Sequence, residues 1–531
     1  MIRFINAVLA NYDLFILMYF ITLNFFYFYL TFLAAERLIS SKIRNRVRIT
    51  QERDFALIPD VAIIVPAHNE EPTINDSVRS FLKVDYPKLN VFVVNDGSED
   101  NTLEVLKKRF NLFEVPIAHG GEIETKPVRA IYKSTLDRRL TVIDKENGGK
   151  SDALNAGLNH SSDRLFCCMD ADTIIERDSI YKLVRPYLER DSNTIAIGGV
   201  IRVANGCRVE KGEIREARLP KSYIVTMQVI EYIRSFLCGR VGWSRLLNSI
   251  LIISGAFGLF DRKTVVEAGG YRNDCVGEDM ELVVRLHKMM CEKKRAYKMF
   301  FLPDPVCWTQ VPDNLTDLAS QRNRWQRGLI QTLMLHWNMI GNPKYGMAGI
   351  VGMPFHVIFE LMSPVIELSG YVLTAVSFIF GWLDFEFVFL FFALAILLNI
   401  MISLFSFLLE EFTVKKFDRP ADIAWLFLCA IIENVGYRQL NLFFRLTATF
   451  NFFYKGNNWG NMKRATFAES VVADPLAKLV NSPLKVVAQK DFPAPAGEDE
   501  INLPRFCASA KPLNGPQKCG PSGAPRIGLE R

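Results

Sequence analysis

Zinc chemistry and disulfide scaffolding are the first classes that the sequence leaves out. Its ten cysteines contain no Cys-x-x-Cys pair, and neither they nor the six histidines fall at zinc-ligand spacing. Cys167 and Cys168 are adjacent, which excludes an ordinary disulfide between them and suits a buried strand. Reduced thiols in a cytosolic domain are expected. Charge of one sign is also scarce: 63 Lys and Arg stand against 57 Asp and Glu, a net +6. The excess gathers beside apolar runs instead of forming one basic patch, which excludes nucleic acid as a partner. No internal repeat is present, and no loop has the GxxxxGK[ST] spacing of an ATPase.

Hydrophobic residues, by contrast, make up 50% of the 531 residues, with 23% still charged. That mixture predicts a soluble domain joined to membrane segments. Leu14 to Ala35 is an uncharged run of 22 residues, enough for a helix across a hydrocarbon core of about 30 Å. Arg37, Lys42, Arg44, Arg46 and Arg48 come directly after it. A signal peptide carries its basic residues before the apolar run, so this segment reads as an anchor that leaves the basic stretch and the domain beyond it in the cytoplasm.

Four divisions are expected: an anchor and basic segment over 1–58, a cytoplasmic domain over 59–341, transmembrane and interfacial helices over 342–455, and a largely disordered tail over 456–531. Val61–Val65, Val91–Val94, Leu140–Ile143 and Leu165–Met169 read as buried parallel strands alternating with helices. This pattern implies an α/β fold with an open, mostly parallel sheet and helices on both faces, binding its ligands at the carboxyl ends of the strands. In the membrane half, Pro354 and Pro364 break the run 346–380, 385–409 is a cleaner span, and Glu433, Asn434, Arg438 and Arg445 interrupt 421–453. Basic residues on both sides of that last segment (Lys415, Lys416 and Arg419, then Lys455, Lys463 and Arg464) favour an interfacial placement over a single crossing.

The polar motifs fall at the strand ends. The first strand delivers His68, Asn69 and Glu70, and the second ends in Asn95-Asp96-Gly97-Ser98. Asp96 there can receive the base or ribose of a nucleotide, although capped turns alone would use the same residues. Asn147-Gly148-Gly149-Lys150 opens a helix whose N–H groups and lysine suit a pyrophosphate. Met169-Asp170-Ala171-Asp172-Thr173 comes after the fourth strand. Its carboxylates can hold Mg²⁺ or Mn²⁺ on a diphosphate if the chain bends there. Gly277-Glu278-Asp279-Met280 starts a helix, where Glu278 is explained well enough as a first-turn charge. In Gln321-Arg322-Asn323-Arg324-Trp325, the tryptophan can stack on a sugar ring and Arg324 can neutralise a leaving diphosphate. A Trp/Arg belt at a membrane interface would use the same residues.

These five motifs, in this order, resemble the processive family 2 glycosyltransferases: cellulose, hyaluronan, chitin and poly-N-acetylglucosamine synthases. The resemblance covers roughly 59–328 and the flanking apolar segments. It implies a GT-A-like fold, with Glu70, Asp96, Lys150 and Asp170 at the nucleotide-sugar, Asp170 and Asp172 at the metal, and Asp279 as general base. Gln321, Arg324 and Trp325 would lie by the acceptor and pyrophosphate. Gly277 stands where many members have threonine. The resemblance further implies a UDP-sugar donor (UDP-N-acetylglucosamine or UDP-glucose), a saccharide or lipid-linked acceptor, contact with membrane lipid, and a place in the bacterial inner membrane. With one base and no second carboxylate nucleophile, direct displacement with inversion is expected. Two other readings remain: single additions to a lipid acceptor, and a transporter or scaffold that only binds nucleotide-sugar.

Overall fold

A computed structural model describes residues 2–45, 58–117, 121–189, 193–246, 248–382, 385–413 and 419–454. The basic residues Arg46, Arg48, Lys415, Lys416, Lys455, Lys463 and Arg464, and the tail 456–531, lie outside the described residues.

Among the described residues twelve strands form: β1 (Val61–Ala67), β2 (Leu89–Asp96), β3 (Leu112–Val115), β4 (Val128–Ser134), β5 (Leu140–Lys145), β6 (Leu165–Met169), β7 (Thr173–Ile175), β8 (Thr194–Val203), β9 (Arg208–Glu210), β10 (Glu213–Glu216), β11 (Phe257–Asp261) and β12 (Lys298–Thr309). Ten of them make one sheet in the order β3-β4-β5-β2-β1-β6-β11-β8-β12-β7. The four strands read from the sequence are its parallel block, β5-β2-β1-β6. Antiparallel neighbours flank that block on both sides. Helices cover both faces, and Phe81, Phe166, Phe257, Phe260 and Phe301 are fully buried. Each such side chain contributes about 1.5–3 kcal/mol of transfer free energy.

The order places the site. From β1 the chain moves to β2 and β5 on one side and to β6 on the other, so β1 and β6 border the switch point. The antiparallel β11 starts opposite the end of β6, with Phe257 paired to Met169. The loop Ser254–Ala256 therefore reaches the same edge as Asp96 and Asp170.

The long helices Ile2–Asn45 and Phe385–Thr413 accompany this domain. Among the described residues, Asn11–Ser40 and Ala348–Ile379 are helical stretches long and apolar enough to cross a membrane. Pro354 and Pro364 do not stop the second stretch. It widens into π turns at Ala348–Gly352 and His356–Leu361, and Met362 N–H bonds back five residues to Val357 O at 3.1 Å. An extra residue per turn accommodates a proline that cannot donate. The interrupted segment 421–453 is two helices, Pro420–Ile432 and Tyr437–Tyr454. Its charges find partners elsewhere: Glu433 pairs with Arg234, Arg445 with Glu360 and Arg438 with Glu367.

Candidate active site

The Asn147–Lys150 loop closes on an anion, and that anion is Asp96. Its carboxylate accepts from Gly148 N–H at 3.0 Å, Gly149 N–H at 2.7 Å and Lys145 Nζ at 2.6 Å. Gly149 can turn its N–H inward because it sits at φ +89°, a backbone that side chains disfavour. Lys145, fully buried at the end of β5, also pairs with Asp152 at 2.5 Å. Asp96 is thus joined to the loop after β5, and the glycine N–H groups read as pyrophosphate donors are engaged by it here. Lys145 escapes motif reading because it precedes the glycine loop and meets Asp96 from another strand.

Lys150 points the other way, onto Asp170 at 2.7 Å and Glu278 at 3.2 Å. Burial works against its charge, but Asp170 and Glu278 hold the ammonium well above its usual range. Burial also pushes the Glu278 carboxyl up, with Lys150 opposing. Glu278 therefore belongs to the site, and the first-turn explanation of it is incomplete. Beside it, Asp279 accepts from Gly255 N–H at 3.1 Å through Oδ2 and from Met280 N–H at 2.8 Å through Oδ1. The β11 loop therefore aims the carboxylate proposed as base.

The bend needed between Asp170 and Asp172 exists as a turn closed by Thr173 N–H to Asp170 O at 3.1 Å. Asp170 stays partly open. Asp172 is buried and accepts from the Thr309 hydroxyl at 3.1 Å. Among the described residues no three His, Cys, Asp or Glu side chains cluster as a ready metal cage. Glu70 is buried in the turn before the helix Ile74–Leu82 and accepts from the Thr73 hydroxyl at 2.9 Å.

The helix Leu315–Leu335 carries the third part. Trp325 is 49% exposed, with the Arg322 guanidinium 4.3 Å from its ring centre. Arg322 is itself buried on Glu231 at 2.6 Å and Tyr437 at 3.3 Å. Gln321 is buried, and its Oε1 has no hydrogen-bond partner among the described residues. Arg324 is partly buried on the same helix. This helix is bolted to the start of the helix Glu278–Glu292 that carries Asp279. Gln331 Oε1 accepts from Val276 N–H at 2.8 Å, and His336 meets the buried Glu281 at 3.1 Å. At the crossing, a methyl on Gly277 would lie 2.8 Å from Gly328 Cα. Threonine at 277 would not fit this crossing without a shift.

An open α/β sheet with an acidic turn at its switch point and an ammonium against that turn defines the GT-A-like class of fold. Residues 62–266 match the family described as Glycosyl transferase family 2, and residues 165–431 match Glycosyl transferase family group 2. The chain belongs to the family 2 glycosyltransferases. It is 24% identical over 422 residues to the poly-beta-1,6-N-acetyl-D-glucosamine synthase of Staphylococcus epidermidis, covering 79% of this chain and 88% of that one. The synthase of the same name from Staphylococcus aureus strain COL is 28% identical over 320 residues, 59% of this chain and 66% of the relative. A solved mannosyltransferase from Pyrobaculum calidifontis, in complex with GDP-Man and Mn²⁺, aligns at TM-score 0.47 and 20% identity over 80% of this chain and 99% of its own.

Proposed function

We propose that this chain extends a polysaccharide by transferring a hexosyl or N-acetylhexosaminyl unit from a UDP-sugar, UDP-N-acetylglucosamine or UDP-glucose, on the cytoplasmic face of a membrane that its apolar helices cross. The observation that carries the reading is the Lys150–Asp170–Glu278 cluster with Asp279 beside it at the sheet's carboxyl edge. A sugar hydroxyl is a weak nucleophile, and Asp279 accepts its proton as it attacks the anomeric carbon. Attack from the face opposite the diphosphate inverts that carbon. Lys150 and Arg324 are the side chains suited to the charge that grows on the leaving diphosphate.

A hard divalent cation fits the acidic turn. The partly open Asp170 carboxylate already attracts the Lys150 cation, and both ligand groups are oxygens. Among the described residues no cluster of three such side chains forms, so the protein would supply the two carboxylates of the turn. Asp170 and Asp172 would hold Mg²⁺ or Mn²⁺, which supplies positive charge to the departing diphosphate.

The test is to incubate the full chain, purified in detergent, with a panel of radiolabelled nucleotide-sugars plus Mg²⁺ or Mn²⁺, and to size the products. Long chains made from one UDP-sugar and abolished by chelator are expected. Single additions to lipid would overturn the polymer reading, and binding without any transfer would overturn the enzymatic one.

A further inference from the structure

Arg322, Trp325 and Gly328 follow one another at three-residue spacing on the helix Leu315–Leu335, which sets them in one stripe along it. Gly328 is where that stripe meets Gly277, the residue that caps the start of the helix carrying Glu278 and Asp279. Trp325 therefore stands less than one turn, about 4.5 Å along the axis, from the crossing next to the base. One step further back in the stripe, Arg322 meets the tryptophan, with its guanidinium 4.3 Å from the ring centre. The indole nonetheless stays 49% exposed, whereas Arg322 is buried. One face of the ring is covered by a cation, and what remains open is its edge and the opposite face.

The cation is held there from two other helices. Arg322 Nη2 donates to Glu231 at 2.6 Å and to the Tyr437 hydroxyl at 3.3 Å, and Nε donates to Asn441 Oδ1 at 3.1 Å. The Tyr437 hydroxyl in turn donates to Glu231 at 2.8 Å. Glu231 belongs to the helix Tyr223–Tyr232, while Tyr437 and Asn441 lie one turn apart on the helix Tyr437–Tyr454. An ion pair with Glu231 needs only a point charge, which a lysine would supply. Acceptors on both Nη2 and Nε fix the plane of a guanidinium as well as its place. A tryptophan that serves only as a membrane belt has no use for a fixed plane over one of its faces.

We propose that Arg322 is a positioning residue for the acceptor: it closes one face of Trp325 and fixes the ring, so that a saccharide end stacks on the opposite face only. The ligand class is a neutral pyranose whose equatorial hydroxyls leave an apolar C–H face to lie on the indole. Because the platform is oriented before the sugar arrives, less freedom is lost on binding. The proposal rests on the glycosyl-transfer reading of the site.

The test uses the full chain in detergent, labelled with fluorinated tryptophan, with UDP and short N-acetylglucosamine and glucose oligomers as probes. Fluorine NMR and calorimetry read binding, and initial rates give the acceptor KM. The Trp325 and Trp337 resonances are assigned by their loss in Trp325→Phe and Trp337→Phe. In the wild type, oligomers should move the Trp325 resonance and leave in place that of Trp337, which is 72% exposed beyond the end of the same helix. Arg322→Lys keeps a charge for Glu231, and with it the fold, but lacks the planar fork. Its oligomer affinity and acceptor KM should worsen about three- to thirtyfold, the span of a cation–ring contact, with UDP affinity within about twofold. Tyr437→Phe leaves the Arg322–Glu231 pair and slackens only the plane; it should change the same two quantities in the same direction by less. That variant carries the test if Arg322→Lys melts below the wild type. Oligomer affinity unchanged in both variants would reduce Arg322 to an ion pair and overturn the proposal. Equal loss of UDP and oligomer binding, or oligomers that bind without moving Trp325 or that move Trp337 as much, would overturn it too. Wild type that binds UDP but neither binds nor extends an oligomer would sink the glycosyl-transfer reading, and the proposal with it. Wild type that extends oligomers, with both variants indifferent, would sink only the role of Arg322.

Discussion

Replacing Asp279 by Asn separates chemistry from grip. In the structure both carboxylate oxygens accept main-chain N–H groups, Oδ2 from Gly255 and Oδ1 from Met280. An asparagine can satisfy only one of them as acceptor and turns an N–H₂ toward the other. The stability cost is that of one charge-assisted hydrogen bond, about 1.5–3 kcal/mol, which a fold worth about 5–15 kcal/mol survives. The rate should fall by about 10²- to 10⁴-fold, the usual contribution of a positioned base. Donor affinity should barely move, because Lys150 and the acidic turn lie on the neighbouring strand ends. Calorimetry with UDP-sugar and initial-rate transfer on the same preparation read the two quantities, and a thermal melt checks folding. Glu278→Gln is the informative companion, although it is no inert control, because Glu278 competes for Lys150. That variant should bind nucleoside diphosphate equally or up to about tenfold more tightly, about 1.4 kcal/mol, with turnover reduced far less. Normal turnover in Asp279→Asn with a dead Glu278→Gln would refute the assignment of the base.

Three further outcomes rest on the same geometry. Gly328→Ala places a methyl 2.7 Å from Gly277 Cα; overpacking of about 1–3 kcal/mol should separate the helix from the start of the Asp279 helix and lower transfer with donor binding retained. Wild-type transfer in that variant would show the crossing to be slack. Lys150→Met removes the group that opposes burial at Glu278, so that carboxyl titrates still higher in the folded state. The folded protein then binds the extra proton, and stability falls as pH rises through the interval between the unfolded and folded midpoints. Melts at pH 5 and pH 8 should show the variant losing more at pH 8, and adding Glu278→Gln should erase the difference. Trp325→Ala should abolish transfer while UDP-sugar binding survives, whereas parallel loss of binding and folding would mark Trp325 as structural.

The parallel block was legible because its information is local. Each of β1, β2, β5 and β6 is a short apolar run ended by turn chemistry, as in Asn95-Asp96-Gly97-Ser98 and Asp170-Ala171-Asp172. The other half was not, since β8, β11 and β12 owe their places to pairings, parallel between β8 and β12 and antiparallel at β11, with strands distant in the chain. The same distinction governs the site. Lys150 and the acidic turn announce themselves in motifs, but Glu278 looks like a helix-start charge until the fold sets it 3.2 Å from Lys150. Lys145 carries no pattern of its own. Only tertiary packing buries it between two aspartates.

The Arg202–Glu410 pair bears on how such a protein can be taken apart. Arg202 lies on β8 and Glu410 on the helix Phe385–Thr413, both almost wholly buried and 2.6 Å apart. A chain cut after Gly341 to obtain a conveniently soluble enzyme would strand that guanidinium, at about 3–5 kcal/mol for an orphaned buried charge. Arg234 would lose Glu433 and Arg322 would lose Tyr437 in the same stroke. Chimeras face the same constraint: a catalytic domain moved onto the helices of another family 2 glycosyltransferase must find acids at the positions of Glu410 and Glu433, or carry its own helices with it.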